Sequence, residues 1–141
     1  MATRREARET AFQLIFEQIF VDEPMNRIIE LAEQTRDVEP DDYIVTVSTG
    51  VEEKLGEIDP IIERYSRARS INRLSKAVLA VLRLAVYEIK FVDDIDVSIS
   101  INEAVEIAKK YAGDDEGGFV NGVLGAFVRA EYPETDGGAA E

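Results

Sequence analysis

The chain has 141 residues, no cysteine and no histidine, and a formal net charge of −13 from 16 basic and 29 acidic side chains. That length fits one domain with a sizeable core, and without thiols or imidazoles the usual disulfides, zinc ligands and general base are all missing. Most hydrolase and metalloenzyme readings fall at this step, and the absence of cysteine fits a reducing cytoplasm. No run reaches the roughly 18 apolar residues of a membrane span. The start, Met1 to Arg8, is charged but lacks the apolar stretch of a secretory signal.

Few segments alternate with period two, and Pro and Gly are sparse, so helix is the default expectation throughout. From Thr3 to about Phe20, Ala7, Ala11, Phe12, Ile15, Phe16 and Ile19 form one stripe. Asp22, Glu23 and Pro24 break it, and Ile28, Ile29, Leu31 and Ala32 carry a shorter second helix. A third starts near Pro40 with Tyr43, Ile44, Val47, Val51 and Leu55 as its apolar face. Gly56 and Pro60 bracket a short join, and Ile58, Ile61, Ile62 and Tyr65 continue into a fourth. The strongest pattern runs from about Leu74 to Phe91 and ends in a turn at Asp93, Asp94 and Asp96.

Val97 to Ile101 alternates, but a strand without a partner does not persist, so it reads as loop running into helix. Ser100 and Glu103 have the spacing of a capping box, and Ala112 and Gly113 close the helix that follows. A last helix from about Gly118 to Glu131 carries Phe119, Val123 and Phe127 on one row. Pro133 to Glu141 read as a disordered acidic tail, residues 133–141, after a helical domain over 1–132. The sum is an all-α protein of about seven helices. Leu82 and Phe127 are its expected core residues.

The basic residues are not spread evenly. From Arg64 to Tyr87 there is no Asp or Glu, only Arg64, Arg67, Arg69, Arg73, Lys76 and Arg83, and Arg4, Arg5 and Arg8 open the chain. Positive charge concentrated against an acidic background is a candidate footprint for phosphates. The competing reading is that these side chains pair with acidic faces around them. On the helix from Leu74, a wide apolar zone leaves one polar stripe, Lys76, Arg83, Tyr87 and Lys90. Glu88 falls on the apolar side, where a carboxylate needs a basic group or helix amides.

Arg4, Arg5 and Arg8 share an arc that overlaps the apolar stripe of the first helix. Such a position suits a first turn that projects past the end of the core, with the arginines at the lip beside emerging aromatic groups. Arginines with aromatics suit single-stranded RNA, whose bases stack on rings while guanidiniums reach phosphates. The acidic clusters at Asp93 to Asp96 and Asp114 to Glu116 lack calcium-loop spacing and read as solvated turns. Gly118, Gly122 and Gly125 match no phosphate-binding fingerprint and read as thin spots for close packing.

Three segments together resemble the bacterial transcription antitermination factor NusB family. They are Arg4 to Glu9; Arg73 to Ser75 continuing through Leu82 to Glu88; and Ile101 to Tyr111 followed by Phe119 to Leu124. The resemblance runs from Arg4 to about Arg129 and implies two helical subdomains packed side by side. It also implies partnership with a NusE-type ribosomal protein, binding to the boxA RNA of nascent rRNA leaders, and assembly of an antitermination complex on RNA polymerase. By position it assigns RNA contacts to Arg4, Arg5, Arg8, Gln13, Phe16, Asp115 and Phe119. The polar stripe adds Lys76, Arg83 and Tyr87. No cofactor, metal or membrane is implied.

The chain departs from the family at Glu6, which stands where some relatives carry arginine, and it is more acidic than most RNA binders. Both features point to dependence on the protein partner. Two other readings remain open at this stage: a stand-alone relative of the recognition domain of rRNA cytosine methyltransferases, and a helical adaptor whose basic strip meets an acidic protein. Members of the family differ in oligomeric state, which leaves a homodimer open.

Overall fold

Why the chain breaks where it does follows from its caps. In the computed structural model, which describes residues 3–67 and 69–133, the first helix is α1 (Arg4–Phe20). Thr3 and Glu6 form a reciprocal capping box at its start: the Glu6 amide donates to Thr3 Oγ1 at 3.1 Å and the Thr3 amide to Glu6 Oε1 at 2.9 Å. Glu6 is thus committed to starting the helix. After α2 (Met25–Thr35), Asp41 caps α3 (Asp42–Glu53) by accepting from the Ile44 amide. Lys54 alone separates α3 from α4 (Leu55–Tyr65). A 3-10 turn, Ile71–Arg73, precedes α5 (Lys76–Phe91), which Ser75 caps. Asp96 caps α6 (Val97–Ala112), and Gly113 joins it to α7 (Asp114–Glu131).

These helices make the described residues all-α, with no strand among them. Several boundaries differ from the sequence expectation. The join expected between Gly56 and Pro60 is helix: Pro60 lies inside α4, where its missing N–H leaves the carbonyl of an exposed Gly56 to solvent. Val97 to Ile101 is the first turn of α6, because Asp96 Oδ1 accepts from the Ser98 amide and starts the helix earlier. Ser100 and Glu103 are therefore interior residues with no amide to cap. Asp114 to Glu116 form the first turn of α7, where acidic groups complement the helix dipole. Gly118 and Gly122 face open space, whereas Gly117 is packed against Lys109 and Val105 of α6. Of the tail expected over residues 133–141, all but Pro133 lies outside the described residues.

Gly113, at φ 114°, takes a backbone conformation that side-chain-bearing residues avoid, and its amide still bonds the Ala108 carbonyl at 3.1 Å. The reversal it makes lays α7 back along α6. Helices α1 to α3 form one subdomain and α4 to α7 the other. The apolar α5 forms the junction, packing on α4, α6 and α7 of its own subdomain and on α1 and α3 of the other. Leu82 and Phe127 are both fully buried. Leu82→Ala is expected to cost roughly 2–5 kcal/mol in a denaturant titration; a loss below about 0.5 kcal/mol would contradict this placement.

Candidate nucleic-acid interface

The start of α1 divides its three arginines between surface and interior. Arg4 is exposed, and its guanidinium carbon lies 4.5 Å from the centre of the Tyr43 ring. Arg5 is also exposed and holds Glu103 with two bonds, Nε at 3.1 Å and Nη2 at 2.7 Å. Arg8, one helical turn on, is buried, with its side chain only 3% exposed. Its Nε donates to Glu88 at 2.7 Å, and Nη1 lies 3.5 Å from Glu103. The expected projection past the core therefore holds for Arg4 and Arg5 and fails for Arg8. The reason is Glu88, which sits on the buried side of α5 and draws the guanidinium inward.

Glu88 is the hub of a polar cluster that ties four helices together. It accepts from Arg8 of α1, from Ser100 of α6 at 2.8 Å, and from the Tyr43 hydroxyl of α3. The carboxylate that the sequence left in need of a basic partner thus has one, plus two hydroxyl donors. Burial first, then the charge of Glu88 and its hydrogen bond, push the Tyr43 hydroxyl above its ordinary range. Burial does the same to Tyr87, with the charge of Glu53 adding to it.

The consequence for stability has a definite sign. Unfolded tyrosines lose their protons near pH 10, while the folded Tyr43 and Tyr87 hydroxyls hold theirs more strongly, so raising the pH above about 10 favours the unfolded chain. Urea titrations at pH 8 and pH 11 should show lower stability at the higher pH, with a weaker dependence in Tyr43→Phe. Equal stability at the two values would contradict the burial of these hydroxyls.

Further along α1 lies an aromatic groove of about 450 Å³, bordered by Phe12, Gln13, Phe16, Phe20, Arg36 and Tyr111 among others. The rings of Phe12 and Phe16 stack with centroids 5.8 Å apart, and Phe20 meets Phe16 edge-on at 5.1 Å. Spacing of four residues puts all three on one face of the helix. Tyr111, from the last turn of α6, closes the groove 4.8 Å from Phe12. Gln13 donates to its hydroxyl at 2.9 Å, and that hydroxyl bonds Glu9, which also takes Lys110 at 2.6 Å. The hydrogen bonds from Lys110 and Tyr111 hold Glu9 below the usual carboxylate range.

Tyr111 also joins the two sets of sequence-assigned residues. It lies just before the Gly113 reversal, and Asp115 and Phe119 follow in the first two turns of α7. Asp115 is exposed and Phe119 half-buried. Above the Phe119 ring, 4.1 Å from its centre, lies the guanidinium of Arg69, which in turn pairs with Glu116 at 2.9 Å.

The stripe proposed on α5 is less open than its sequence suggests. Lys76 is exposed, but Arg83 is held by both oxygens of Asp59, each at 2.9 Å, because α4 packs alongside. Tyr87 is buried, its ring end lying over Gly50 of α3 and beside Phe91. A Cβ at Gly50 would come within 2.3 Å of that ring, so the lack of a side chain at Gly50 is what admits it. The partners of Arg83 and Tyr87 belong to the packing of α3, α4 and α5.

Sequence reasoning passed over Tyr43, Tyr111 and Arg69 as site residues. Each acts through a contact with a residue far away in the chain, so no local spacing announces it. Among the described residues no group of acidic side chains could hold a metal ion, and no helix is long and apolar enough to cross a membrane.

An exposed cationic helix start, a row of rings beside it and a second aromatic site at the head of α7 are the features of a nucleic-acid surface. The family model described as the NusB family matches residues 5–129. The chain belongs to the NusB family. The transcription antitermination protein NusB of Acetivibrio thermocellus is 43% identical over 136 residues, covering 95% of this chain and 94% of the relative. The NusB protein of Thermoanaerobacter sp. strain X514 is 45% identical over 129 residues, 91% of each chain. A solved structure described as antitermination factors NusB and NusE in complex with double-stranded RNA matches with a TM-score of 0.81 at 30% identity. It covers 90% of this chain and 96% of that one. As a NusB-family member the chain is a transcription antitermination factor rather than an enzyme.

Proposed function

We propose that residues 1–132 form an RNA-binding domain that, with a NusE-type ribosomal protein, binds the boxA element of nascent rRNA leaders. The pair then promotes assembly of an antitermination complex on RNA polymerase in the cytoplasm. The observation that carries this reading is the exposed face of α1: Arg4 and Arg5 stand ahead of Gln13, Phe16 and Phe20 on a helix of a NusB-family chain. Guanidiniums would take phosphates, and the rings would take bases splayed from a single strand. Phe119 and Asp115 extend the same surface across the Gly113 reversal, and Lys76 adds charge at the start of α5.

Arg8 has a different part. Buried on Glu88, it holds the helix that presents Arg4 and Arg5, and its effect on RNA is through position. Arg5 is engaged with Glu103, so phosphate binding there has to compete with a carboxylate. This competition, added to a net charge of −13, makes affinity of the isolated chain low and gives the partner its role.

Binding of the chain and its partner to boxA RNA, against a scrambled oligonucleotide of equal composition, tests the reading. Preference for boxA and a steep fall in affinity with salt are expected. Equal binding of the two oligonucleotides, or none, with retained affinity for an acidic protein, would favour the adaptor reading.

A further inference from the structure

No RNA contact has so far been assigned to Arg69, yet its guanidinium lies over the ring of Phe119. We infer that Arg69 is a further RNA-contacting residue, carrying the interface from α7 onto the connection between α4 and α5. The inference rests on the RNA-binding reading and adds a second cationic arm to it.

Four observations support this. The guanidinium lies over the Phe119 ring at 4.1 Å and is fixed by Glu116 through Nη1 at 2.9 Å. Its Nε and Nη2 donors have no protein partner among the described residues, so they remain for phosphate oxygens. The backbone is pinned as well: the Arg69 amide donates to the Ser66 carbonyl at 3.0 Å, and the buried Ser66 hydroxyl donates back to the Arg69 carbonyl at 3.1 Å. The side chain is nevertheless 37% exposed, which leaves it open to a ligand.

Charge beyond Arg69 continues the path. Arg67 and Arg73 are exposed on the same connection and form no ion pair among the described residues. Exposed cations left unpaired are notable in a chain with 29 acidic side chains. A planar guanidinium stacked on an aromatic ring is also a platform that a base can join, and one whose edge reaches the backbone. Glu116 restrains this group: it orients Arg69 but also offsets its charge, so removing that carboxylate's charge should strengthen RNA binding.

The test uses the full chain with its NusE-type partner and a boxA RNA oligonucleotide, followed by fluorescence anisotropy over a salt series. Arg69→Ala is expected to weaken binding roughly tenfold at 0.1 M salt and to flatten the log–log salt slope by about 0.7. Arg69→Lys should keep the slope while losing part of the affinity, because it retains charge without the planar stack. Glu116→Gln should bind about threefold more tightly. Unchanged RNA affinity in Arg69→Ala, with or without a lower melting temperature, overturns the inference and leaves Arg69 structural. Lost affinity for the protein partner, with RNA binding intact, overturns it in favour of a protein contact. Failure of the unaltered chain to prefer boxA over scrambled RNA would overturn both this inference and the reading beneath it.

Discussion

Replacing Arg8 by alanine is expected to lower folding stability by roughly 3–5 kcal/mol, the range for stripping one partner from a buried ion pair. The side chains of Arg8 and Glu88 are 3% and 1% exposed, so water cannot replace the lost guanidinium. Tyr43 and Ser100 would still donate to Glu88, but neither carries a charge. Pairing Arg8→Ala with Glu88→Gln should recover much of the loss, because a neutral amide can keep the two hydroxyl partners without an isolated buried charge. A denaturant double-mutant cycle measures this coupling. A loss below about 1 kcal/mol, or no recovery in the double variant, would show that the cluster is not what joins α1, α3, α5 and α6.

Replacing Arg4 and Arg5 together should do the reverse, leaving stability nearly intact and removing RNA affinity. Both side chains are exposed; Arg4 covers the Tyr43 ring, and Arg5 reaches the largely buried Glu103 from solvent, a carboxylate that keeps Arg8 at 3.5 Å when Arg5 is removed. If each takes one phosphate, the double alanine variant should bind boxA RNA roughly tenfold to hundredfold more weakly. The log–log salt slope should flatten by about 1.4, or about 0.7 for each contact. Arg8 is left out of this variant because its removal would confound binding with unfolding. Unchanged affinity and slope would show that the helix start is not a phosphate site.

Helix α5 illustrates what can be read from a chain alone. Its apolar positions leave so narrow a polar stripe that it must be central, and Glu88 visibly needs a partner. That the partner is Arg8, 80 residues away, depends on how α1 docks, which no local pattern encodes. The same limit explains Arg83 and Tyr87: periodicity marks them as the wet face of α5, but Asp59 and Gly50 arrive from other helices and cover them. The capping pattern occurs both at Thr3 with Glu6 and at Ser100 with Glu103, and only the first acts as a cap. At the second, Asp96 starts the helix a turn earlier and releases both residues for long-range bonds. On the surface, Phe16 and Gln13 are expected RNA contacts by resemblance, and both border the aromatic groove of α1. Tyr111 and Arg69 are not expected, since their contacts with Gln13 and Phe119 exist only once α1, α6 and α7 are assembled.

The central claim, that RNA recognition belongs to the pair rather than to this acidic chain alone, has one direct measurement. A fixed boxA RNA oligonucleotide is titrated with the chain alone and with the chain saturated by a NusE-type partner, at one salt concentration. The account predicts RNA binding at least about tenfold tighter with the partner, and partner binding tightened by the same factor when RNA is present. Equal RNA affinity with and without the partner would contradict it.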